Sequence, residues 1–458
     1  MPLSGFPELL PQQRVVEDAV LDRLRRVFEL HGFAHIETPA VESLDTLLTK
    51  GEIDKEVYVL RRLHADAEDG ESDRAGGLGL HFDLTVPFAR YVLEHAGRLE
   101  FPFRRYQIQR AWRGERPQEG RFREFTQADI DVVAKDVLPF HHDVEIARVM
   151  AEALSALDFL PPLRLQVNNR RLIEGFYRGL GAPDPAAVMR VIDKLDKMPA
   201  DAIAVQLGEI AGLDEAQAAK CLQLAEIRTP DTGFVERVRE LGVQHELLDT
   251  GLAELAAVID GCAAVSAVSA GVTIEADLRI ARGLDYYTGT VFETRMAGFE
   301  SIGSICSGGR YESLATDGRT TYPGVGISLG VTRLLMPLLQ RGRLTGSRAV
   351  PSAVLVALPD DASRPACDAL AQRLRARGIA TEVAAAPQKY GKQIRYAERR
   401  GIPFVWFPGA PDAVRDIRSG EQADADADSW TPPAHDASPQ VLSQEALSQE
   451  VLSQEVTQ

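Results

Sequence analysis

The chain has 458 residues, enough for two or three domains that each bury a core of their own. Its 45% hydrophobic and 26% charged residues are ordinary for globular chains, and the absence of any run of about 18 apolar residues gives no reason to expect a membrane span. A formal net charge of −16 argues against indiscriminate nucleic-acid binding but leaves specific RNA contact open, because binding follows local patches.

The opening residues, MPLSGFPELLPQQR, show no basic start followed by an apolar stretch, so secretion is not expected. Cys221, Cys262, Cys306 and Cys367 are scattered without a C-x-x-C pair. Neither a disulfide framework nor a zinc site is expected, which fits a reducing cytoplasm, and no metal-ligand set stands out. From Gln12 to Leu30 the apolar residues Val16, Val20, Leu24 and Val27 recur at helical spacing. His31-Gly32 ends that helix, and Phe33 to Pro39 reads as a strand stopped by proline. His64 to Gly79 is a polar, Gly-rich loop. In Leu80 to Arg90, Asp83 and Thr85 are expected on one strand face, with a helix starting after Pro87; by itself Asp83 reads as a cap or turn residue.

Phe103 to Val133 reads as two long strands around the turn Arg116-Pro117-Gln118-Glu119-Gly120. Period-two alternation puts Gln109, Ala111, Arg113 and Glu115 on one side going out. On the return, Arg121, Arg123, Phe125, Gln127, Asp129 and Asp131 share a face, and Phe122, Thr126, Ala128, Ile130 and Val132 take the other. Arginines near the turn suit phosphate, Phe125 suits a stacked base, and Asp131 suits a cationic or N–H-bearing group. The six residues from Phe125 to Asp131 span roughly 20 Å, long enough for a nucleotide at one end and a small amine at the other.

Beyond it, Asp136 to Leu157 is an amphipathic helix, Leu163 to Val167 a strand, and residues 181–264 a helix-rich insertion. Ala281-Arg282-Gly283-Leu284-Asp285-Tyr286-Tyr287-Thr288-Gly289 bends into the β-branched Thr290 to Glu293; the tyrosines read as one inside and one outside. Gly324-Val325-Gly326 leads into a helix that carries Arg333 and that Pro337 shortens, its glycines letting backbone approach a ligand. After a linker at 341–351, strands and helices alternate, with Lys389, Lys392, Arg395, Arg399 and Arg400 gathered in one basic run. The tail repeats VLSQE-like units every five residues, a period of neither helix nor strand, and is expected to be disordered.

Trp112-Arg113-Gly114-Glu115 with Arg121 and Phe125 resembles motif 2 of the class II aminoacyl-tRNA synthetases. RGERPQEGRFREFTQADID and RGLDYYTGTVFE together resemble the histidyl-tRNA synthetase family. The first helix and strand are similar to motif 1, which forms the dimer interface in that family, and the Arg333 segment to motif 3. The resemblance runs from about Arg14 to Ile417. It implies an α+β catalytic domain built on an antiparallel sheet (1–180 and 265–340), the insertion at 181–264, an anticodon-binding-like α/β domain at 352–435, and the tail at 436–458. It implies an ATP-dependent ligase that joins histidine to tRNA(His), with Mg2+ accompanying ATP. Carried over residue by residue, Arg113 would hold the α-phosphate and substrate carboxylate, Glu115 the adenine amino group, Phe125 the adenine face, and Arg121 and Arg333 the γ-phosphate. Asp83 and Thr85 would bind the α-amino group, Gln127 and Asp131 the histidine, and Tyr286 and Tyr287 the imidazole. Arg282 would stabilise charge developing at the α-phosphate; Arg113, Arg282 and Arg333 are the candidate catalytic residues. Arg116, Gln118, Lys389, Lys392 and Arg395 would meet tRNA. His81 stands where many members carry Arg. The alternative is a non-catalytic paralogue such as the regulatory subunit of ATP phosphoribosyltransferase.

Overall fold

The computed structural model describes residues 3–48, 56–62, 77–268, 271–281 and 286–444. Most of the loop expected at His64 to Gly79, the segment 282–285 with Arg282, and the tail beyond 444 lie outside the described residues. The chain divides into two compact units, Met1–Pro7 with Leu21–Pro337, and Glu8–Val20 with Leu338–Gln458.

The first unit is organised on one sheet. Among the described residues its strand order is Ala34–His35, Phe103–Trp112, Glu124–Val133, Gly324–Gly330, Cys306–Tyr311, Thr290–Met296, Leu163–Asn169, Val272–Asp277 and Arg228–Thr229. The five middle pairings from Phe103–Trp112 to Leu163–Asn169 are antiparallel, as expected, and parallel pairs occur only toward the edges of the described sheet. The hairpin is in register from Phe103 opposite Val133 to Trp112 opposite Glu124. Its apolar face, with Ala128, Ile130 and Val132 at 0% exposure, turns toward the helix His141–Ser155. The opposite face is closed as well: Gln127, Asp129 and Asp131 are all buried, because the sheet is covered on both sides.

Several local expectations change. The strand expected at Phe33 to Pro39 shrinks to Ala34–His35, where the chain pairs with Arg105 and Tyr106 for only two residues. Asp83 and Thr85 do not share a strand: the backbone bends after Leu80, and Thr85 opens the helix Thr85–His95. Asp83 Oδ1 accepts from the N–H groups of Thr85 and Val86, which would otherwise be orphans of the first turn. The helix expected from Asp136 begins only at His141. Pro337 does not shorten its helix, which runs Val331–Gln340 around it; the proline merely leaves one carbonyl a turn earlier without its usual donor. Residues 181–264 are helical as expected but belong to the same compact unit, and Arg228–Thr229 within them adds an edge strand to the main sheet.

The second unit holds a five-stranded sheet in the order Thr381–Val383, Val354–Val356, Phe404–Phe407, Ala413–Asp416, Gln422–Asp424. The first three are parallel and the last two antiparallel. Gln393 ties the basic helix Tyr390–Arg400 to the segment just after the strand Val354–Val356: it accepts from Leu358 N–H at 2.9 Å and donates to the carbonyls of Leu358 and Gln388. The linker and the tail are not wholly irregular. Leu344–Gly346 pairs with Val441–Ser443 antiparallel, a long-range match that a local five-residue repeat cannot reveal.

Candidate active site

Arg113 stands just past the end of the outgoing strand, where its N–H donates to the Arg123 carbonyl and closes the hairpin. Its Nε donates to the Phe82 carbonyl at 3.0 Å, and its guanidinium lies 5.1 Å from the centre of the Phe125 ring. Both contacts aim the cation along the polar face instead of into solvent. Arg333 reaches the same region from the helix Val331–Gln340, donating to the carbonyls of Gly120 at 2.7 Å and Ser304 at 2.9 Å. Gly120 adopts φ +75, a left-handed turn conformation suited to glycine, and so presents that carbonyl. Arg113, Glu115, Phe125, Gln127, Ser328 and Arg333 line one cleft open to solvent.

Glu115 and Arg121 pair with each other at 3.2 Å. The Arg121 side chain is half exposed, so the pair is easily exchanged for other partners. Gln127 donates to the Ser328 hydroxyl at 2.7 Å, while its Oε1 is buried without a hydrogen-bond partner among the described residues. Further along the row, Asp131 Oδ2 meets Arg105 at 2.7 Å and Oδ1 accepts from the Tyr311 hydroxyl at 2.9 Å. Arg105 is fully buried and lies over the Phe88 ring. Tyr286 stacks on Tyr311 with centroids 5.2 Å apart and meets Tyr287 edge-on at 5.3 Å. Both of these tyrosines are part-buried and pack against the same cluster as Tyr311, so the expected inside–outside split does not occur. Burial first, then the nearby Asp131 charge, pushes both phenols well above their ordinary range and keeps them neutral donors.

The hairpin thus brings Arg113, Glu115, Phe125, Gln127 and Asp131 onto one surface, and Arg333 joins them. Gly324 and Gly326 serve a different purpose from the one expected. A β-carbon at Gly324 would lie 2.4 Å from the Tyr311 hydroxyl, and one at Gly326 would lie 2.0 Å from Asp131 Oδ1, so these glycines make room for site side chains. Arg105 and Tyr311 were missed. The hairpin register could have found Arg105, because pairing Phe103 with Val133 places Arg105 opposite Asp131. His81 is buried, its Nε2 2.6 Å from the Arg110 carbonyl, where it braces the outgoing strand.

Of the residues assigned to tRNA, Arg116 and Gln118 are exposed on the hairpin turn in the first unit. Lys389, Lys392 and Arg395 are exposed in the second unit, where Lys392, Arg395, Tyr396 and Arg399 line an open hollow. Among the described residues no cluster of His, Cys, Asp and Glu could hold a metal ion, and no helix is long and apolar enough to cross a membrane.

Residues 5–334 match the family model for histidyl-tRNA synthetase, and residues 352–429 that for an anticodon binding domain. The chain is 57% identical to the histidine–tRNA ligase of Cutibacterium acnes, over 96% of this chain and 98% of that one. It is 58% identical to that of Micrococcus luteus, with the same coverage. The crystal structure of histidyl-tRNA synthetase from Nostoc sp. PCC 7120 superposes with TM-score 0.82 at 34% identity, covering 93% of this chain and 97% of that one. A protein described as an ATP phosphoribosyltransferase regulatory subunit/histidyl-tRNA synthetase from Bacillus halodurans C shares the fold, with TM-score 0.69, at only 19% identity. The ligase relatives, at far higher identity over nearly the whole chain, set the regulatory alternative aside. Two family models in sequence, close relatives of matching length and a shared fold lead to one assignment: the chain belongs to the histidyl-tRNA synthetase family.

Proposed function

We propose that the chain activates L-histidine with ATP and transfers the histidyl group to the 3′ end of tRNA(His). In the first step a histidine carboxylate oxygen attacks the α-phosphorus in line, the bond to pyrophosphate breaks, and histidyl-adenylate forms. In the second, a hydroxyl of the terminal adenosine of tRNA attacks the acyl carbon and AMP leaves. The observation that carries this reading is the single cleft lined by Arg113, Glu115, Phe125, Gln127 and Arg333. Fixed cations there meet the charge of a transferring phosphoryl group, and Phe125 offers a face for adenine.

In this reading Arg113 holds the α-phosphate and carboxylate, Arg333 and Arg121 the γ-phosphate, and Glu115 the adenine amino group once its pair with Arg121 opens. Asp83, Thr85, Gln127, Asp131, Tyr286 and Tyr287 surround the histidine, and Arg282 stabilises charge at the α-phosphate. Arg116, Gln118, Lys389, Lys392 and Arg395 meet the tRNA. Mg2+ arrives with ATP, whose phosphate oxygens suit a hard cation. The chain works as a homodimer in the cytoplasm. Histidine-dependent exchange of pyrophosphate into ATP, followed by charging of tRNA(His), tests the function. No exchange with histidine, or equal exchange with other amino acids, would sink it.

A further inference from the structure

Asp131 enters the histidine pocket with its charge already matched. Its Oδ2 lies 2.7 Å from the Arg105 guanidinium, and its Oδ1 accepts from the Tyr311 hydroxyl at 2.9 Å. Arg105 is 0% exposed, and two further contacts hold it in place as a cation. The guanidinium lies 4.2 Å from the centre of the Phe88 ring. Its Nη1 also donates to Gln107 Oε1 at 3.4 Å. The Gln107 amide donates in turn to the Thr38 hydroxyl at 3.0 Å and to Gln109 Oε1 at 2.7 Å, which keeps its oxygen turned toward the guanidinium. A guanidinium holds its proton at any working pH, so this charge is permanent.

The other charged and titratable groups around Asp131 do not change that balance. Asp83, before the helix Thr85–His95, accepts two backbone N–H groups and faces the substrate's ammonium in the reading above. Asp129, next on the same strand face, is pushed up to about 7 by burial, opposed mainly by Arg105. It is therefore largely protonated below about 6.5, where a free imidazole takes up its own proton. Tyr286, Tyr287, Tyr311 and Cys306 are kept neutral by burial, and Gly326 across the sheet brings no side chain. An imidazolium bonded to Asp131 would sit roughly 4–6 Å from Arg105, a separation at which a like charge disfavours the charged form. A neutral ring N–H meets no such repulsion and can still donate to the carboxylate, which accepts up to about four hydrogen bonds. We propose that Arg105 is a specificity-determining residue: it makes the pocket take the substrate's imidazole in its neutral form and turn away the imidazolium. The inference rests on the histidine-activating reading above. The same charge shuts out lysine and arginine, which a bare Asp131 would attract.

The test reads the charge of the bound ring directly. Histidine isotope-labelled at both ring nitrogens is bound to the full-length enzyme and observed by NMR. A neutral imidazole shows one N–H nitrogen and one lone-pair nitrogen, far apart in frequency, whereas the two nitrogens of an imidazolium nearly coincide. In the wild type the bound ring should stay neutral at about pH 6, where free histidine is mostly protonated. In pyrophosphate exchange, the histidine KM should rise about tenfold from about pH 7.5 to about 5.5, relative to the Ki of 2-fluorohistidine, a competitor whose ring stays neutral throughout. That ratio cancels the enzyme's own titrations. Arg105→Gln removes the charge but keeps a donor for Asp131; its bound ring should become an imidazolium at about pH 6, and the relative rise in KM should vanish. An imidazolium in the wild type, or a variant that merely binds more weakly and still holds a neutral ring, overturns the proposal. If the variant does not fold, the wild-type spectrum and pH profile decide. Absence of histidine-dependent exchange in the wild type would instead refute the underlying function.

Discussion

Gly326 and Asp131 sit opposite each other on neighbouring strands, and a β-carbon at Gly326 would fall 2.0 Å from Asp131 Oδ1 and 2.7 Å from the Ile130 carbonyl. The glycine is therefore the space into which the carboxylate folds. Gly326→Ala should push Asp131 off Arg105 and cost about 1–3 kcal/mol, the usual range for overpacking. Thermal melting and the histidine KM, measured together, check this. Unchanged values of both would mean that the strands separate without strain.

Asp131 has a structural partner as well as a proposed ligand. Asp131→Ala leaves Arg105 buried and unpaired, which should cost about 3–5 kcal/mol. Asp131→Asn keeps an acceptor and should lose less. The double change Arg105→Met with Asp131→Leu removes both charges, so it should recover most of the stability while histidine binding stays lost. Recovery of binding in the double variant would assign Asp131 to bracing alone.

Asp129 should make stability depend on pH in an unusual direction. Its folded-state carboxyl lies near 7 against an ordinary value of 3.8, so between those values the folded protein holds more protons than the unfolded chain. Stability from this group is fully present at low pH and is lost as pH rises from about 4 through 7. Asp129→Asn removes the penalty. Relative to wild type, the variant should therefore gain melting temperature as pH rises from 5 to 8. A constant melting difference across that range contradicts the shifted carboxyl.

Arg333 is anchored by two carbonyls, which fixes the guanidinium of the residue proposed above to meet the γ-phosphate. Arg333→Ala should lower the rate of pyrophosphate exchange by a factor on the order of 100 to 1,000, as removal of other preorganised charge stabilisers does. Arg333→Lys should recover part of this, keeping the charge but losing the fork. An alanine variant within threefold of wild type would leave Arg333 as a brace for Gly120 and Ser304.

Lys392 and Arg395 are exposed on the second unit. Reversing both, Lys392→Glu with Arg395→Glu, should raise the KM for tRNA and flatten its salt dependence, while pyrophosphate exchange stays at the wild-type rate. Unchanged tRNA KM would remove this helix from RNA contact.

The hairpin was legible from the sequence because its information is local. Period-two alternation, a proline–glycine turn and the order of arginine, phenylalanine, glutamine and aspartate all lie within about thirty residues, and the structure keeps Phe125, Gln127 and Asp131 on the one face that alternation assigned them. The family-specific motifs were legible for the same reason. What tertiary structure alone decided are matters of distance between remote segments. Tyr311 reaches Asp131 across a separation of 180 residues, Gly326 clears the space for it, and Val441–Ser443 finds Leu344–Gly346. Burial was decided there too. Alternation tells that Asp129 and Asp131 share a face, but not that helices and aromatic rings close over that face. Once closed, it leaves Asp131 paired with Arg105 and Asp129 buried with the same Arg105 as its main opposing charge, because a charge taken out of water must find its partner among whatever the fold brings near.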